Sequence, residues 1–143
     1  MQTGKGYIRD VVIVRCDRSE DFLGCLEAAV EKHGIKNGLL LTGYGTLEKS
    51  TVQMVTSTGF PVQEHFEHEE QALEVLSLDG LVADGKIYAH IVLSDTHQAW
   101  GGHLESGCRV LYLCEAVIGI LEDVALSRQV SPQGLKLLEI EEV

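Results

Sequence analysis

Only one stretch of the chain carries the apolar period of a helix, and nearly everything after it reads as strand. From Glu20 to His33, Phe22, Leu23, Leu26, Ala29 and Val30 fall on one helical face, and Gly34 is placed to end the helix. Asp17-Arg-Ser-Glu20 ahead of it supplies an N-cap signal. Before the helix, Tyr7 to Cys16 is centred on Val11-Val-Ile-Val14 and predicts a largely buried strand. After it, Leu39-Leu-Leu41 and Val52-Gln-Met-Val-Thr56 predict two strands joined by a bend at Gly43-Tyr-Gly45. Further strands are predicted over Leu73 to Leu78, Ile87 to Ser94 and, as a long final strand, Arg109 to Leu121. Asp84-Gly85 is a two-residue hairpin signal, and Asp95 to Gly101 reads as another turn.

One helix cannot cover both faces of so many strands, so the sheet must curl or be covered by a second subunit. The expected fold is therefore α/β (α+β): a curved antiparallel sheet with one principal packed helix, a single domain over residues 1–143. A chain of 143 residues buries a sizeable core without disulfide or metal staples. With 45% hydrophobic and 23% charged residues it is neither disordered nor fibrous.

Composition also narrows the function. The apolar run from Val110 to Leu121 is broken by Tyr112, Cys114, Glu115 and Gly119, so no membrane span is expected. The first residues hold no apolar export segment, which points to the cytoplasm. Cys16, Cys25, Cys108 and Cys114 match neither a zinc knuckle nor a redox pair and read as reduced core thiols. Eleven basic against 22 acidic residues give a formal charge of −11, which disfavours direct binding to nucleic acid.

No Gly-x-Ser-x-Gly elbow, Walker loop or His-Glu-x-x-His motif is present. Histidine placement stands out instead. His90 and His103 are equidistant from the Thr96/His97 junction, so a regular hairpin turning there makes them cross-strand neighbours, with Cβ atoms about 4.5–5.5 Å apart. Two neutral imidazoles at that separation can share a divalent metal ion, zinc being the expected one. Gly101-Gly102 before His103 is read as leaving room for a ligand.

Two ligands do not complete a site. His97 is a third candidate, but six residues of strand place it roughly 20 Å from His103 unless the loop folds back or a neighbouring chain supplies it. Glu115 and solvent are the alternatives. His65 and His68, in Glu64-His-Phe-Glu-His-Glu-Glu70, are assigned to a solvated acidic segment.

Gly43-Tyr-Gly-Thr-Leu47, Leu73-Glu-Val-Leu-Ser-Leu-Asp-Gly80, His90-Ile-Val-Leu-Ser-Asp95, Gly101-Gly-His-Leu104 and Cys114-Glu-Ala-Val-Ile118 resemble, in order, the motifs of the PPC domain, named for plants and prokaryotes. The resemblance covers roughly residues 7 to 140. It implies a curved antiparallel sheet with a packed helix, assembled as a homotrimer, and metal-ligand histidines at the positions of His90 and His103. Many members carry a further histidine where this chain has Tyr88. Plant members add a DNA-binding AT-hook, an Arg-Gly-Arg-Pro segment that this sequence does not contain.

The resulting expectation is a homotrimer that binds a divalent metal through His90, His103 and His97, with a possible small-molecule ligand and enzymatic activity left open. The alternatives are a non-catalytic assembly module and, by family analogy only, a DNA-binding regulator.

Overall fold

The computed structural model describes residues 1–143. Strand β1 (Tyr7–Asp17) leads into helix α1 (Phe22–Lys32), followed by β2 (Gly38–Val55), β3 (Glu64–Glu69), β4 (Leu73–Ala83), β5 (Lys86–Ser94), β6 (Ala99–Leu104), β7 (Arg109–Glu122), β8 (Val124–Val130) and β9 (Lys136–Glu142).

The helix forms where its periodicity places it, but its cap is Asp21 rather than a residue of the Asp17–Glu20 run. Asp21 Oδ1 accepts from the Gly24 N–H at 2.9 Å, while Oδ2 accepts from the Gly107 N–H at 2.6 Å. One carboxylate thus caps the helix and ties it to the turn before β7. Glu20 is used differently, accepting from the Asp17 N–H at 2.7 Å. Gly34, at φ +60°, leads the chain out of the helix. Phe22, Leu26 and Val30 enter one core with Leu47, Val52, Leu78, Ile91 and Ile118 from the sheet. Burial of each such side chain stabilises the fold by about 1.5–3 kcal/mol.

The principal sheet runs β1-β7-β2-β4-β5-β6, with neighbours antiparallel. Strand β2 is one 18-residue strand rather than two. The bend expected at Gly43-Tyr-Gly45 is absorbed as register shifts against β7, between Leu40 and Thr42 and between Gly45 and Leu47. The far end of β2 then pairs with β6, at Val52↔Leu104 and Gln53↔His103, so β2, β4, β5 and β6 close on themselves. The sheet curls, as the single helix requires.

Three further expectations are corrected. Strand β1 is buried on one face only: Val14 and Cys16 point into the core, whereas Val11 and Ile13 are 54% and 78% exposed because no element covers the outer face. The acidic run at 64–69 keeps its side chains largely exposed, but its backbone is an edge strand paired with β2. The chain does not end its sheet at β7: β8 and β9 form a separate hairpin, whose Val124 and Leu126 pack on Ala83. All four cysteines are free thiols, and Cys16, Cys108 and Cys114 are buried in the core.

Candidate functional site

The β5–β6 hairpin turns on Asp95. Its Oδ1 accepts from the backbone N–H groups of His97 at 2.6 Å and Gln98 at 2.8 Å, and those two bonds hold the carboxyl below its ordinary pKa. Pairing then runs without a slip from Ser94↔Ala99 to His90↔His103, the register expected from the sequence. Even positions 88, 90 and 92 of β5 face outward while Ala89, Ile91 and Leu93 fill the core. The same outward row continues through Asp79 on β4, opposite His90, and Gln53 on β2, opposite His103.

The two imidazole rings are 5.8 Å apart between centres and nearly perpendicular, at 82°. Tyr88 completes the cluster, its ring 4.4 Å from His103 and 6.0 Å from His90. The ordering of His103 is more informative than the spacing. Its Nδ1 lies 2.9 Å from Glu105 Oε1. An ionised carboxylate only accepts, so Nδ1 carries a proton, and in the neutral ring Nε2 keeps its lone pair. That Nε2 is buried and has no hydrogen-bond partner. A buried, unused imidazole lone pair, with its opposite nitrogen held by a carboxylate, is the donor arrangement of a metal ligand.

His97 sits in the hairpin turn, six residues before His103 and beyond the last strand pair Ser94↔Ala99, and does not join the two histidines within its own chain. Glu115 on β7 is engaged elsewhere. It accepts the Tyr44 hydroxyl at 2.5 Å, raising the pKa of that phenol, and Tyr44 lies nine residues along β2 from Gln53. No group of three His, Cys, Asp or Glu side chains converges so as to hold a metal ion. His65 and His68 have local partners, Glu67 at 2.8 Å and Thr51 Oγ1 at 3.1 Å.

Gly101 and Gly102 have a different role from the one expected. A Cβ on Gly101 would stand 2.5 Å from Ile91 O, and one on Gly102 would stand 2.6 Å from Gln53 O. The pair lets β6 approach β5 and β2 closely; it does not open a channel. Two concavities, about 260 Å³ beside Arg9, Asn37 and Val124 and about 450 Å³ beside Val11, Ile13 and His33, are lined by residues other than the histidine pair.

Two residues at the site were not singled out by the sequence reading. Glu105 is two residues past His103, the spacing that returns to one face of an extended chain, and this was its available signal. Arg128 on β8 places its guanidinium carbon 4.1 Å from the centre of the Tyr88 ring. Nothing local in the sequence announces that contact.

Residues 4–122 match the family model of the Plants and Prokaryotes Conserved (PCC) domain, the PPC domain of the resemblance above. A plant- and prokaryote-conserved protein of Pyrococcus horikoshii shares the fold at a TM-score of 0.83, with 22% identity and 100% of each chain covered. A protein of Archaeoglobus fulgidus described as metal-containing is similar at a TM-score of 0.83, with 22% identity over 96% of this chain and 98% of its own. Two others of this fold, from Bacteroides thetaiotaomicron and Ralstonia eutropha, bear names that give DNA binding as a conjecture. These likenesses establish the fold. Over 108 residues, 75% of the chain, it is 30% identical to the bifunctional protein GlmU of a Synechococcus strain, and it spans only 16% of that protein's length.

Proposed function

Since the chain belongs to the Plants and Prokaryotes Conserved domain family, we propose that it is a small metal-binding protein, assembled as a homotrimer, in which His103 and His90 hold a divalent cation. Zinc is the expected ion. The observation that carries this reading is the buried, unpartnered Nε2 of His103, aimed by the Nδ1 bond to Glu105. A bound cation supplies Lewis acidity toward a small ligand or a water molecule. The chain's own part is to fix the imidazole tautomer and to keep the two rings on adjacent strands. The third donor is then His97 from a neighbouring subunit or solvent, because the chain's own His97 and Glu115 are placed away from the pair. A formal charge of −11 weighs against direct contact with nucleic acid.

The test is metal uptake by purified protein, by elemental analysis and titration. Wild type should take up zinc, His103→Ala should lose it while remaining folded, and His68→Ala should change little. Wild type with under about 0.1 equivalents of any transition metal and no uptake on titration would overturn the reading.

A second reading, the non-catalytic assembly module, is favoured by a separate observation. The uncovered outer face of β1, β7 and β2 presents Val11, Ile13, Leu41 and Tyr44 to solvent. That surface suits burial between copies of the chain, and it needs no metal.

A further inference from the structure

The last hairpin carries a positive charge to Tyr88, the tyrosine beside His103. Strands β8 and β9 lie beyond the 4–122 span of the family match. They are anchored at the opposite end of the chain, where Gln2 Nε2 donates to Glu139 at 2.6 Å and Gln2 Oε1 accepts from the Ile140 N–H at 3.2 Å. From this hairpin Arg128 lies over Tyr88, the residue whose ring touches His103. Its Nη1 donates to Lys136 O at 3.0 Å, and its Nε is buried with no partner.

Two details set this arginine apart. It is half-buried and takes part in none of the chain's ion pairs, although acidic residues outnumber basic ones 22 to 11. The carboxylates beside the histidine pair are also already used: Glu105 by His103, and Asp79 by the Ser77 hydroxyl at 2.5 Å. Two unused buried polar atoms, an acceptor on His103 and a donor on Arg128, therefore belong to side chains that both contact one tyrosine.

We propose that Arg128 makes the His90–His103 site a receptor for a small oxyanion, a carboxylate or a phosphate. The proposal rests on the metal reading above: a cation held by the two histidines would supply Lewis acidity toward the anion, and the Arg128 guanidinium would supply charge and hydrogen-bond donors. A planar guanidinium presents donors in the spacing of these anions, and the Tyr88 ring and the Lys136 carbonyl hold Arg128 in place before the ligand arrives. In so acidic a chain a small anion is repelled unless the site provides its own positive charge, and Arg128 provides it.

The experiment is calorimetric titration of succinate and, separately, of inorganic phosphate into the full 143-residue chain, zinc-loaded and metal-free. Wild type is compared with Arg128→Met, which keeps a long apolar stem over Tyr88, and with Arg128→Lys, which keeps the charge and guards against a folding defect. Zinc-loaded wild type should bind one of the two anions, and the preferred one names the class. Arg128→Met should bind it at least about tenfold more weakly at unchanged zinc uptake, with Arg128→Lys in between. Equal binding by wild type and Arg128→Met, or no binding by wild type in either form, overturns the proposal. Binding that depends on Arg128 in a protein that takes up no zinc would overturn the metal reading, and with it the part assigned to the histidines, and would leave Arg128 as the anion-binding group.

Discussion

The Glu105 carboxylate holds the His103 imidazole by Nδ1 at 2.9 Å, and both side chains are mostly buried, at 30% and 20% exposure. A partly screened pair of this kind adds modestly to stability; its larger effect is to fix which ring nitrogen carries the proton. Glu105→Gln preserves the shape, but an amide also donates, so the tautomer is no longer imposed. Zinc affinity should fall about 10–100-fold, read by competition with a chromophoric chelator, with little change in melting temperature. Unchanged affinity would mean that Glu105 does not direct the lone pair.

Gly102→Ala should damage the fold at the seam between β2 and β6. The added methyl would lie 2.6 Å from the Gln53 carbonyl, a backbone atom with little freedom to retreat. Overpacking of this kind costs about 1–3 kcal/mol, measurable by urea unfolding. Gly59→Ala, with nothing within 4 Å, is the matched control and should behave as wild type.

The buried thiols predict alkaline sensitivity. Burial pushes Cys108 up to about 11 and Cys114 up to about 12, from an ordinary value of 9.0. Because the folded chain favours the neutral thiol, this contribution is complete below pH 9, where both states are protonated. It declines as pH rises from 9 toward 11, where only the unfolded chain releases the proton readily. The melting temperature should hold steady from pH 7 to 9 and then fall, and Cys108→Ala should flatten that fall. A Cys108→Ala profile parallel to wild type would assign the alkaline loss to other groups.

Ile13, 78% exposed beside Val117 on β7, should report the assembly. Light scattering of wild type at low micromolar concentration should give about three chain masses. Ile13→Asp, which places a charge on an apolar contact face, should shift the population toward the 15.7 kDa chain. A trimer indifferent to this change would put the interface on another face.

What the sequence disclosed was mainly local. Symmetry about Thr96/His97 sets His90 against His103, and that pair is present; the hairpin signalled at Asp84-Gly85 is present too, and it sets Asp79 against His90. Two-residue and tight turns propagate register along regular strands, so these pairs follow from turn chemistry. The closure of β6 onto β2 joins residues about fifty apart and depends on β2 staying continuous through Gly43 and Gly45. Those glycines suggest a break in one dimension. In the fold they make room for Leu78 and for the Leu113 carbonyl. Asp21 displaced the expected cap because Gly107, 86 residues away, offers it a second bond. Arg128 was invisible for the same reason: its contact with Tyr88 exists only once the last hairpin has docked.

The two-pair join of β6 to β2 also sets an order of events. Gln53 and His103 should meet after β4, β5 and β6 have paired, because the entropy of closing so long a loop falls once the intervening strands are in place. A join of only two pairs should be among the first to open when the native chain fluctuates. His103 sits on that hinge between open and shut forms, so a ligand gripping it and His90 acts as a clasp across the last joint of the ring. Occupancy should be felt as slowed amide exchange at Val52, Gln53 and Leu104, well beyond the atoms the ligand touches.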